Sequence, residues 1–188
     1  MNRLVRILTL FLTVCIFSCT SAPIKKEATQ KTIEEPSKSP KTLAKGDTIP
    51  DFTLPDVTTG EKISFEKDIK GKNKIIAITF FTPSCLSCKA EMGILSELAE
   101  KYGDDIKIYA IKEIFKIDDK GLPAISSNKI NFLLDDNLSL LMGFGFGYAP
   151  SLVIANRDGK VLFVKEGYSP KDNYYITKAI KEAVETEK

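Results

Sequence analysis

From Gly46 onward, apolar runs alternate with segments in which apolar residues recur every three or four positions. "IIAITFF", residues 75–81, carries no charge and is rich in β-branched and aromatic side chains, the pattern of a strand buried on both faces. The following segment, Leu86 to Tyr102, sets Cys88, Met92, Leu95, Leu98, Ala99 and Tyr102 at helical spacings. "IKIYAI" (106–111) and "INFLL" (130–134) predict two more strands, and "LSLLMGF", after Asp135 and Asp136, a short helix. "SLVIA" and "KVLFVK", joined by "NRDG", predict a hairpin with Asp158 and Gly159 in the turn. "KDNYYITKAIKEAVE" closes the chain as a helix with Tyr175, Ala179 and Ala183 four apart. This order predicts an α/β domain with a central mixed sheet flanked by helices on both faces.

The chain before Gly46 has a different pattern. Arg3 and Arg6 precede an apolar run from Ile7 to Phe17, the shape of a secretory signal and too short to span a membrane. "IFSC", ending at Cys19, resembles the bacterial lipobox, whose Cys is lipidated and becomes the new N-terminus. Residues 1–18 are thus expected to be a lipoprotein signal peptide. Thr20 to Lys45 is rich in Lys, Glu, Thr, Ser and Pro, with too little apolar surface to fold, so residues 19–45 are expected to be a disordered tether and 46–188 the domain. Location follows: extracytoplasmic and held to the bilayer through an acyl chain on Cys19.

Charge and cysteine content narrow the chemistry. The 27 Lys and Arg, less the two in the signal, match the 25 Asp and Glu and form no basic stripe, so there is no footprint for nucleic acid and no electrostatic pull toward anionic lipid. The chain has no His, which removes the commonest metal ligand and general base. Of four Cys, one falls in the signal and one would carry lipid, leaving Cys85 and Cys88. A structural disulfide closing so short a loop would constrain the unfolded chain very little. A zinc site would need a second Cys or His pair, which the sequence lacks, so no metal is expected.

Four stretches give a resemblance to the thioredoxin superfamily, and within it to the TlpA/ResA-like membrane-tethered thiol-disulfide oxidoreductases related to the redoxins. They are "GDTIPDFTLPD" (46–56), "TFFTPSCLSCKAEM" (79–92), "YAPSLVIANRDGKV" (148–161) and the lipobox. The most specific is Cys-x-x-Cys-x-x-Glu, present as Cys85, Cys88 and Glu91 between a strand and a helix. The resemblance implies a thioredoxin-like fold with an N-terminal strand or hairpin extension. It also implies a cis Ala149–Pro150 bond beside the dithiol, with the Ala149 backbone pairing with a substrate peptide, and no cofactor. Its implied partners are client protein thiols or disulfides and a thiol-reducing transmembrane electron donor. Reduction of clients, in cytochrome c maturation or in protection of exported thiols, is the family role it suggests.

Physical chemistry assigns the thiols different parts. Cys85 at the helix N-terminus faces unpaired amides and the positive end of the dipole, which favour a thiolate nucleophile. Cys88, one turn inside, is placed to resolve a mixed disulfide. Glu91, a turn further, is the candidate proton acceptor, because Thr79 occupies the position where relatives carry a buried Asp or Asn. Ser84 and Ser87 replace the family's usual Trp and Pro, which leaves the potential open between about −270 and about −120 mV. Two alternatives compete: a thiol peroxidase, suggested by the Thr-x-x-Cys of "TPSC", and a non-catalytic scaffold of the same fold. Residues 113–129 are where a specificity insert would lie.

Overall fold

The computed structural model describes residues 41–113 and 130–187. The signal peptide, Cys19, most of the tether and residues 114–129 of the expected insert lie outside these. A five-stranded sheet forms the centre: β3 (Ile75–Phe81), β4 (Ile106–Lys112), β5 (Ile130–Leu134), β6 (Ser151–Asn156) and β7 (Val161–Glu166), in the spatial order β5-β4-β3-β6-β7. β3, β4 and β5 run parallel, whereas β6 and β7 are antiparallel to their neighbours, so the sheet is mixed. Every residue of β3 is buried, as its uninterrupted apolar run requires of a central strand.

The helices α1 (Leu86–Tyr102) and α3 (Asp172–Thr186) lie on one face of the sheet, packing with Ile75, Ala77, Phe81, Ile108, Leu152 and Ile154. On the other face lie the helical turn Phe65–Ile69, the short helix α2 (Ser139–Gly143) and the hairpin of β1 (Thr53–Pro55) with β2 (Lys62–Ser64). This hairpin is the N-terminal extension. The Asp158–Gly159 turn joins β6 to β7, with the Gly159 N–H donating to the Asn156 carbonyl.

Two details differ from the expected pattern. α3 buries Ile176, Ile180, Ala183 and Val184, while Tyr175 is exposed, because the helix turns its β-branched stripe toward the sheet and leaves the tyrosine hydroxyl in water. The chain also packs before Gly46, inside the segment that composition assigned to the tether. Leu43 is buried, its N–H donates to the Phe144 carbonyl, and the Thr42 hydroxyl donates to the Gly145 carbonyl. Gly145 makes this approach possible: its φ is +74° and a Cβ there would lie 2.5 Å from the Thr42 Cα.

Candidate active site

β3 ends at Phe81 and the chain turns through Thr82–Ser84 into α1, so the first helical turn stands at the carboxyl end of the central strands. Cys85 caps that helix. It has extended backbone angles, and its sulfur accepts the Cys88 N–H at 3.0 Å. The Ser87 hydroxyl lies 3.3 Å from the same sulfur. A thiolate at this position would therefore meet an aligned amide and a neighbouring hydroxyl, both favouring charge on sulfur. Cys85 and Cys88 are joined by a disulfide. Cys85 is half-buried and Cys88 fully buried, so the first residue of the pair is the one open to solvent.

Glu91 is fully buried, inside the stripe that also holds Cys88, Met92 and Leu95. A solvated helix charge is thereby excluded. The Thr79 hydroxyl of β3 donates to its Oε1 at 2.6 Å, and Oε2 has no hydrogen-bond partner. Burial pushes the carboxyl up to about 7, against the Thr79 hydrogen bond and the Lys165 ammonium, which favour its charge. Thr79 thus does not serve as an acid itself; it holds the acid that α1 supplies from the opposite side of the same space.

The Ala149–Pro150 peptide is cis. The register of β3 with β6 pairs Phe80 with Ser151, so Pro150 lies beside the end of β3, and Ala149 and Cys85 border the same apolar cluster. The Pro150 carbonyl accepts the Gly167 N–H at 2.7 Å, and the Tyr148 carbonyl accepts the Ser151 hydroxyl. Leu86 and Tyr148, both largely exposed, flank the dithiol and the proline in sequence. The structure therefore brings Cys85, Cys88, Glu91, Ala149 and Pro150 to one end of the sheet, while Cys19 lies outside the described residues.

Three groups escaped the sequence reading. Lys165 on β7 and Asp172 at the start of α3 form an ion pair of 3.1 Å, and both act electrostatically on Glu91. Strand alternation carried the signal for Lys165, which shares a face with Phe163. Glu113, first residue of the expected insert, is buried at the end of β4; its N–H donates to the Phe81 carbonyl, and burial followed by repulsion from Asp135 pushes its carboxyl up to about 7. Among the described residues no group of Cys, Asp or Glu could hold a metal ion. None of their helices is long and apolar enough to cross a membrane.

The family profile described as Redoxin matches residues 44–180. The fold is similar to that of a protein described as a thiol:disulfide interchange protein, DsbE, from Chlorobium tepidum, with a TM-score of 0.67, 23% identity and coverage of 76% of this chain and 99% of that one. The thioredoxin domain of a thiol-disulfide oxidoreductase from Bacteroides vulgatus matches with a TM-score of 0.62, 21% identity and coverage of 76% and 99%. The exposed lipoprotein thioredoxin of Streptococcus pneumoniae matches with a TM-score of 0.56, 24% identity and coverage of 71% and 99%. The chain belongs to the Redoxin family and has the thioredoxin-like fold of thiol-disulfide oxidoreductases, with a Cys-x-x-Cys disulfide in place.

Proposed function

We propose that this Redoxin-family protein is an extracytoplasmic thiol-disulfide oxidoreductase that reduces disulfides of exported client proteins while held to a membrane by lipid on Cys19. The observation that carries the reading is the graded burial along α1: Cys85 within reach at the cap, Cys88 buried one turn in, Glu91 buried one turn further. The description of one structural relative as an exposed lipoprotein supports the location, as does the "IFSC" motif.

In the reduced protein the Cys85 thiolate attacks one sulfur of a client disulfide, forming a mixed disulfide and expelling the first client thiolate. Cys88 then gives its proton to the Glu91 carboxylate and attacks the Cys85 sulfur. The second client thiolate leaves and takes up that proton, while the first takes one from solvent to replace the one Cys85 gave up on ionising, so two electrons have passed to the client as the Cys85–Cys88 disulfide closes. A thiol-reducing membrane partner restores the dithiol. Ala149, beside the cis proline, offers its backbone to an extended client segment, a β-type pairing that holds the scissile disulfide in line with Cys85.

Cys88→Ala in the full-length protein tests the reading. Without the resolving thiol the mixed disulfide persists, so adducts with exported proteins accumulate, whereas Cys85→Ala traps none. Equal trapping by both variants, or wild-type peroxide consumption far faster than disulfide reduction, would contradict it, the latter in favour of a thiol peroxidase. Location is tested separately: Cys19→Ala should abolish incorporation of labelled fatty acid.

A further inference from the structure

One row of side chains crosses the α1 face of the sheet. Thr79 on β3 is opposite Leu152 on β6, and Leu152 is opposite Lys165 on β7. Residues opposite one another share a face, so Lys165 projects toward the side on which Thr79 holds Glu91. Two strand spacings, about 10 Å, separate their backbones, a gap that a lysine stem and a glutamate can largely close from its two ends. Lys165 does not extend freely into water. Its ammonium is bound at 3.1 Å by Asp172, whose carboxylate also accepts the Ser169 N–H at 2.6 Å and the Ser169 hydroxyl at 3.1 Å. The Asp172 N–H in turn donates to the Ser169 carbonyl, so the turn that leads into α3 is closed by the same acid that anchors Lys165.

We propose that Lys165 and Asp172 form a positioning pair that sets the charge state in which Glu91 meets the dithiol. Lys165 touches neither sulfur; it acts through Glu91. Its positive charge favours the carboxylate, the form able to take the Cys88 proton, and Asp172 limits that effect by holding the ammonium and by repelling the same carboxylate. Among the described residues, the charged groups that act on Glu91 are Lys165 from β7 and Asp172 from α3. β3 and β6 contribute the uncharged Thr79 and Leu152, and α1 contributes Cys88. Lys112 on β4 is opposite Phe81 and so shares the face one row away, where it has an interaction of its own.

The inference rests on the reading of Glu91 as proton acceptor, and the two are separable by experiment. The Glu91 carboxyl, labelled with carbon-13 and assigned by its loss in Glu91→Gln, is titrated by NMR in the oxidised full-length chain in detergent. Lys165→Met should move the titration upward by about one pH unit, Lys165→Arg should restore it, and Asp172→Asn should move it downward. Opposite shifts are the signature, since loosened packing would move both variants in the same direction. No shift in Lys165→Met, or shifts of one sign in both variants, overturns the pair. The pH dependence of mixed-disulfide resolution is then measured in the same variants. Rates that follow the titrations support both readings. Titrations that separate while the rates keep one common profile leave the pair's control of Glu91 standing and sink the proton-acceptor role.

Discussion

The two faces of the central sheet are built from neighbouring residues of the same strands, yet they do different work. On the face away from α1, Phe80 stacks edge-on to Phe144 and Phe146 at 5.6 and 5.9 Å, and Phe52 meets Phe65 and Phe144. On the α1 face, one residue earlier in β3, Thr79 projects into a space shared with buried Glu91. The aromatic face gains stability from apolar burial and ring contacts. The α1 face gives some of that up to hold a carboxyl with an unpartnered oxygen next to a thiol pair. A buried polar atom without a partner is a local cost that natural folds concentrate at functional sites, and the apolar packing of the rest of the sheet offsets it.

The sharpest separation of the two faces comes from Cys88→Ala, which should abolish turnover with client disulfides and leave thermal stability close to wild type, measured by single-turnover reduction alongside calorimetry. Phe80→Ala should do the reverse. It removes a fully buried ring and should cost about 3–5 kcal/mol in denaturant unfolding, with the reactivity of the dithiol unchanged. A large change in reduction potential in that variant would show that the faces are coupled.

Glu91→Gln should separate function from stability on the α1 face itself. Resolution of the mixed disulfide should slow by about tenfold or more, because the proton acceptor is lost. The folded carboxyl titrates near 7 against an ordinary value of 4.5, so the folded state binds more protons than the unfolded state between these values. Wild-type stability should therefore fall as pH rises from 4.5 to about 7 and level off above, with Glu113 adding in the same direction. Glu91→Gln should lose its share of that slope and be more stable than wild type at pH 8 by on the order of 2 kcal/mol. Equal slopes in urea titrations across pH would show that Glu91 is not the group responsible. In the reduced protein, loss of the negative charge should also lower the thiol pKa values, read by thiolate absorbance.

The smallest effect should come from Gly145→Ala at the edge of the aromatic face. The new methyl meets the Thr42 backbone and favours a negative φ, so the segment around Leu43 should detach at a cost of about 1–2 kcal/mol. Increased proteolysis before Gly46, with unchanged exchange chemistry, is the expected reading.

Periodicity and turn chemistry, which act over a few residues, made most of the fold legible. β3, α1, β5 and the β6–β7 hairpin stand where apolar runs, helical spacing and Asp158–Gly159 put them, and Cys-x-x-Cys at a strand-to-helix junction identified the dithiol. Tertiary structure decided what depends on the register of distant segments. The burial of Glu91 was not legible, because a glutamate three residues after Cys88 reads equally as solvated until β3 is laid against α1 and Thr79 meets it. Lys165 and Asp172 come from separate elements, and only the β3–β6–β7 register places their pair on the Thr79 face. The packing of Leu43 likewise follows from its meeting with Phe144 and Gly145, about a hundred residues away, a contact that local composition cannot encode.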